Sequence, residues 1–243
     1  IYDGTSAHEN GKSSTDRYIK TISFNELYDD NAYVGYMYSL GEAHGLNTSS
    51  IIKIENDKFY IDKLVSYASK VDMNAGYCGD RSTLLSQDGV GIGTEITYYK
   101  GYLRVEESAP TLACENINDY YTSLNASGGN KSLTYPIGLI TVDEVMLAGH
   151  GGGIFDGYMN HGKYNSLSYL NIDHSFWTMT PVGYHIPYLT SFLEPRVFNI
   201  YDNGMIGDYY VYSSDEGLRP VINIRSDVNI TGTGIKEDPY TIN

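Results

Sequence analysis

The chain has 243 residues, 41% hydrophobic and 19% charged, a balance that excludes wholesale disorder and supplies enough apolar surface for a buried core. Its 30 acidic and 16 basic residues leave a formal net charge of −14, and the cations stand singly or in loose pairs such as Lys53 and Lys58. With no basic run to track a phosphate backbone or hold an anionic lipid surface, nucleic acid and direct membrane insertion are excluded as partners. No stretch reaches the roughly 18 apolar residues of a membrane span. No charged and apolar leader pattern follows Ile1, so any export signal or anchor is expected upstream.

Residues 1–30 read as a polar lead-in to one domain spanning 1–243, with a first strand near 18–24. A second strand is expected over 32–38, where aromatic and small residues alternate. After the glycine-rich turn at 41–45, Asn47 and the polar residues behind it offer N-caps for a helix over 51–71. Ile54, Ile61, Leu64, Val65 and Ala68 fall at helical spacing there, with a break expected around 55–58. Residues 74–108 read as mostly loop, with 96–99 and 102–105 as the only strand-like pieces. Cys78 and Cys114 allow one pairing, which would close a loop of about 37 residues and add roughly 3.8 kcal/mol; the alternative is two buried thiols. Neither cysteine has a CxxC partner or a matching His pair, so no zinc site is expected.

Thr141-Val142-Asp143-Glu144 is a capping box, and Val142, Val145, Met146 and Ala148 continue a helix that Gly149 closes. Beyond it come short β-rich runs at 164–170, 175–180, 196–201, 205–212 and 219–224, with Asp202-Asn203-Gly204 as a hairpin turn. Two main helices early and a short-stranded antiparallel sheet late, joined by long loops, predict an α+β architecture, with the sheet and the candidate ligand-binding region over 134–243.

Several motifs occur together in a fixed order. They are Phe176-Trp177-Thr178-Met179-Thr180-Pro181, then 197–201 with Asn203-Gly204, then Gly217-Leu218-Arg219-Pro220-Val221-Ile222-Asn223. This order resembles the ending of a family of exported, often pilin-like, proteins of gut Firmicutes that belong to the C-type-lectin-like and formylglycine-generating-enzyme-like fold superfamily. Tyr135-Pro136-Ile137-Gly138-Leu139-Ile140-Thr141, the segments around Cys78 and Cys114, and the 232–242 stretch extend the likeness over about 32–242. The resemblance implies a C-type-lectin-like fold. It implies a secreted or surface-displayed, adhesin-like domain at the cell surface, whose ligand is a protein or glycan on another cell or host surface. The superfamily includes the hypervariable proteins of diversity-generating retroelements, and a structural pilus-tip or surface-layer subunit is the alternative. Trp177 and Pro181 are expected in the core frame, with Arg219 and Pro220 entering the final strand and the guanidinium on backbone carbonyls or a carboxylate.

Tyrosines crowd the region 156–214, at Tyr158, Tyr164, Tyr169, Tyr184, Tyr188, Tyr201, Tyr209, Tyr210 and Tyr212. Tyrosine combines large contact area with low rotamer cost and a hydrogen-bonding tip, which is why binding loops favour it. The stretch 183–195 lacks a regular period, so Tyr184, His185, Tyr188 and Phe192 are expected on an exposed loop as the leading contacts, supported by Tyr201, Tyr209, Tyr210 and Tyr212. Calcium-dependent sugar binding is not expected: Glu194-Pro195-Arg196 puts a cation where an amide ligand is needed, and no Trp-Asn-Asp follows. No catalytic role, cofactor or metal is expected either. No cysteine follows Cys114, His150 with its glycines lacks a serine nucleophile, and His161, His174 and His185 are too far apart to assign as ligands.

Overall fold

The computed structural model describes residues 18–84, 89–150, 170, 174–186, 192–233, 238 and 240–242. In chain order the elements are β1 (Met37–Tyr38), β2 (Thr48–Ser49), α1 (Ile51–Phe59), β3 (Gly76–Cys78), β4 (Thr97–Tyr98) and α2 (Lys100–Glu107). They continue with β5 (Tyr120–Thr122), β6 (Gly138–Leu139), α3 (Val142–Leu147), β7 (Phe176–His185), β8 (Glu194–Ile200) and β9 (Ile206–Tyr210). The chain closes with β10 (Pro220–Val221), β11 (Ile230–Thr231) and β12 (Thr241–Ile242). The architecture is α+β. A four-stranded antiparallel sheet has the order β4-β7-β8-β9, and β1-β2, β3-β5, β6-β10 and β11-β12 form two-stranded antiparallel pairs.

All ten residues of β7 are buried because the sheet is covered on both faces. Trp177 and Met179 point into one core with Phe24, Tyr36, Val197 and Val211. Phe176 and Val182 point into another with Val105, Val142, Val145 and Phe198. Trp177 is fully buried, its indole N–H donates to the Ile22 carbonyl at 2.7 Å, and Phe24 meets its ring edge-on at 5.8 Å. Pro181, which has no N–H to give to a ladder, stands where the register with β8 shifts. Between Pro181↔Val197 and Gly183↔Arg196 two residues of β7 oppose one of β8, so the bulge reverses which face each following side chain takes. It sends Tyr184 and His185 to opposite faces from those an unbroken strand would give. A Cβ at Gly183 would lie 2.5 Å from the Thr97 carbonyl, so β4 can close on β7 only against glycine.

Several local expectations are corrected. Residues 18–24 form a single bridge, Thr21 with Gly217, and run extended beside 216–218, with the Ile19 and Ile22 N–H groups on the Leu218 and Glu216 carbonyls. The expected strand over 32–38 is a 3₁₀ turn, Asn31–Val34, before β1, because the Asp30 carboxylate accepts from the Ala32 N–H and caps it. The helix over 51–70 is present, as α1 followed by one π turn and a 3₁₀ stretch, so the irregularity begins at Tyr60 rather than at 55–58. Most of its expected apolar face points outward, although Leu64 packs partly buried against the cluster of Tyr60, Val71 and Ile137. Ile54, Ile61 and Val65 are 43%, 46% and 56% exposed, while Ile52, Asn56 and Tyr60 face the core. Asn56 is buried because its amide donates to the Tyr36 hydroxyl and the Gly138 carbonyl, and Lys53 because it pairs with Asp57 at 2.7 Å.

The strand-like run 102–105 lies in α2, which makes a third helix where two were expected. Its Gly101 and Val105, four apart, face β7 and the second core, and Arg104 is clamped by Asp143 and Asp80. The capping box at α3 forms in both directions, Glu144 N–H to Thr141 Oγ1 and Thr141 N–H to Glu144 Oε2, and Gly149 follows in the left-handed region. Cys78 and Cys114 are bridged. Beside that bridge Arg81 and Asp119 form a fully buried pair, with His44 Nδ1 2.9 Å from the same carboxylate. Burial alone would raise the Asp119 carboxyl, but the Arg81 guanidinium and the His44 hydrogen bond hold it below its ordinary value.

Candidate functional site

The β8–β9 hairpin turns at 202–204, where Gly204 takes φ 82° and its N–H donates to the Tyr201 carbonyl at 2.8 Å. β9 then carries Tyr209 and Tyr210 at the sheet edge. The buried Val211 continues the chain by donating to the Pro195 carbonyl, which places Tyr212 beside them. The rings form a ladder: Tyr209 stacks on Tyr210 at 4.3 Å, Tyr210 on Tyr212 at 4.4 Å, and Tyr28 meets Tyr212 at 5.2 Å. Tyr209, Tyr210 and Tyr212 are half-buried, and Tyr28 is 57% exposed. A Cβ at Gly207 would lie 2.4 Å from the Tyr201 ring, so that ring lies across the strand only because residue 207 is glycine.

Beneath the ladder, Arg196 is held between two carboxylates, Nε to Asp208 Oδ1 at 2.6 Å and Nη1 to Glu194 Oε2 at 3.1 Å. Both acids are buried, and the Tyr212 hydroxyl donates to Glu194 Oε1 at 2.7 Å. Burial, and then this bond to a carboxylate, push the Tyr212 hydroxyl up to about 12. Burial and Asp208 do the same to Tyr201, again to about 12. Tyr212 is therefore a neutral phenol that ties the ladder from below to a charge-assisted network.

Across the sheet, Tyr98 of β4 stacks on His185 at 4.8 Å and meets Tyr102 of α2 at 5.1 Å. Burial lowers the His185 imidazole to about 4 against the opposing pull of Asp208, so the ring is neutral at pH 7. Its Nδ1 is buried without a hydrogen-bond partner.

No protein-family model, curated protein or solved structure matches the chain. The site thus rests on its own residues. Tyr184 and His185 are only 3% and 9% exposed, in β7 rather than on a loop, because Tyr184 pairs with Pro195 and Thr97 and His185 with Glu194. Phe192 is 75% exposed. Tyr158, Tyr164, Tyr169, Tyr188 and His161 lie outside the described residues, as do residues 1–17 and most of the run 164–170. Tyr209, Tyr210 and Tyr212 come together with one another, and Tyr201 lies beside them across Gly207.

Arg219 donates to the Leu170 carbonyl at 3.1 Å and lies over the Phe176 ring at 4.5 Å, while Pro220 pairs with Leu139 in the β10–β6 pair. Sequence reasoning missed Tyr28, Tyr98 and Tyr102. Tyr98 and Tyr102, four apart across the start of α2, carried a helical signal; nothing local brings Tyr28 to Tyr212.

A concavity of about 220 Å³ lies beside the disulfide and is lined by Cys78, Asp80, Arg104, Asp143, Glu144 and Asn223 among others. Its Arg104 is already shared between Asp80 and Asp143, and Glu144 serves the α3 cap. Among the described residues no group of His, Cys, Asp and Glu is arranged to hold a metal, and no helix is long and apolar enough to cross a membrane.

Proposed function

We propose that this chain is a ligand-binding, adhesin-like domain displayed outside the cell on a C-type-lectin-like frame, with the tyrosine ladder as its contact surface. The observation that carries the binding role is the ladder itself. Three stacked rings, with Tyr28 tilted against the last of them, stand at the surface over a locked Arg196 network, giving the large contact area at low ordering cost that paratopes use. The frame is supported by the ordered motifs around Trp177, Pro181, Arg219 and Pro220. Extracellular display is supported by the Cys78–Cys114 bridge, since such bonds persist in oxidising compartments. The described histidines are engaged in packing or hydrogen bonds, His150 with the Gly204 carbonyl, His174 against Tyr18 and His44 on Asp119.

A glycan and host-protein binding screen of the full chain against a Tyr28→Leu/Tyr210→Leu variant tests the reading. Ligands held by the wild type and lost by the variant support it; equal binding by both refutes the site. Genomic context extends it. A neighbouring reverse transcriptase gene with a template repeat matching the segment before Gly217 would make this a diversified surface, and the absence of both would remove that part.

A further inference from the structure

We propose that the ladder takes a cationic segment of a partner protein, with arginine side chains laid flat on the tyrosine faces; this rests on the ladder being the contact surface. Two independent properties of the surface point to that chemistry. The first is the rings. Tyrosine faces carry the negative lobe of the ring quadrupole, and a planar guanidinium both stacks on them and is attracted to them. The protein makes this contact internally, with Arg219 over Phe176.

The second is the field around the rings. Segment 23–30, which presents Tyr28, carries Glu26, Asp29 and Asp30 and no Lys or Arg. Segment 201–216, which presents the other three rings, carries Asp202, Asp208, Asp215 and Glu216 and again no Lys or Arg. The two segments are tied at the ladder, the Asn25 N–H on the Val211 carbonyl and the Ser23 hydroxyl on the Tyr212 carbonyl. Arg196, the one cation beneath, is neutralised by Glu194 and Asp208 and leaves a carboxylate in excess. Glu26, Asp29 and Asp215 are exposed on these two segments, so the segments that present the π faces also carry exposed negative charge. A neutral sugar would use the rings and waste the charge, and an anionic glycan or lipid would be repelled. A basic protein segment uses both.

The test uses the full chain and fluorescence anisotropy at physiological ionic strength, where long-range attraction by the overall negative charge is screened. The probes are a short peptide alternating arginine with glycine, its lysine counterpart, and its citrulline counterpart, which keeps the planar shape without the charge. Three variants are compared. Tyr28→Leu/Tyr210→Leu removes rings without changing charge, Glu26→Gln/Asp29→Asn/Asp215→Asn removes this exposed charge and keeps every ring, and Glu42→Gln/Asp62→Asn/Glu107→Gln removes as much charge elsewhere.

The arginine peptide is expected to lose roughly ten-fold in affinity with the ring variant. The charge variant is expected to lose about five-fold and the distant variant nothing. The lysine peptide should bind more weakly than arginine and the citrulline peptide not at all. Equal loss in charge and distant variants, retention by the ring variant, or citrulline binding as well as arginine would overturn the inference. If the arginine peptide fails on the wild type while a glycan or neutral protein from the screen still depends on Tyr28 and Tyr210, the cationic partner falls and the binding surface stands. If nothing depends on those rings, both fall. The charge variant keeps the test decisive should the ring variant fold poorly.

Discussion

The chain's 25 tyrosines fall into contrasting settings, of which two decide its physics. Around the N-terminal half Tyr36, Tyr77, Tyr99 and Tyr121 are buried, and each hydroxyl has an assigned partner: the Ile137 carbonyl, the Pro136 carbonyl, the Asn31 side chain and the Met37 carbonyl. These are core residues whose polar tips are satisfied inside. At the far edge of the sheet Tyr209, Tyr210 and Tyr212 stack on one another, and only Tyr212 bonds a group of the frame. The same residue type serves as packing in one place and as surface in the other. What separates them is whether the backbone brings a second layer over the ring.

That comparison can be broken most severely at the buried Arg81–Asp119 pair, which sits among the first set. Asp119→Ala leaves the Arg81 guanidinium buried and unpaired, and should cost about 3 to 5 kcal/mol in urea unfolding. A loss below about 1 kcal/mol would mean that water reaches the pair. Replacing both Cys78 and Cys114 by Ala is expected to cost about 2 to 4 kcal/mol by the same measurement. Binding at the ladder should survive it, because the bridge constrains the 78–114 loop and not the β8–β9 hairpin.

His185 supplies a pH dependence of intermediate size. Its folded value, about 4, lies below that of the unfolded chain, so its contribution is fully present above about 6.5 and is lost as pH falls towards 4. Between pH 7 and pH 5 this amounts to about 2 kcal/mol, and a His185→Phe variant should show a flatter stability profile over that window. An NMR titration in which His185 charges near pH 6.5 would show the ring to be solvated.

The smallest effect sharpens the tyrosine contrast directly. Tyr121→Phe should destabilise by about 1 kcal/mol, because it leaves the Met37 backbone groups unpaired, whereas Tyr210→Phe should stay within about 0.5 kcal/mol. Equal losses would make the ladder core.

Much of the architecture was legible because its signals were local. The capping box at Thr141, the Asn203-Gly204 turn and the β-rich runs that became β7, β8 and β9 each carry their cause within a few residues. The helix over 51–70 was legible in place and misread in orientation. Ile54, Ile61 and Val65 face out while Asn56 and Lys53 find partners inside, and hydrophobic spacing cannot foresee a satisfied polar core. For α2, the run Tyr102-Leu103-Arg104-Val105 suits strand or helix equally, and the contacts of Gly101 and Val105 with β7 and the second core decided it. The candidate site was read in part. Tyr209, Tyr210 and Tyr212 were in view, but Tyr184 and His185 were placed on a loop that the structure replaces with buried strand.

By itself the sequence determined that the chain is α+β, that it carries a formal net charge of −14, and that tyrosines crowd its last third. Those properties are sums or short-range patterns, which composition and spacing encode directly. Tertiary structure alone decided which tyrosines reach the surface. A one-residue bulge at Pro181–Gly183 reversed the faces of Tyr184 and His185, and a contact between residues 28 and 212 completed the ladder. Register and long-range contact depend on the whole packed sheet, and no local window contains it.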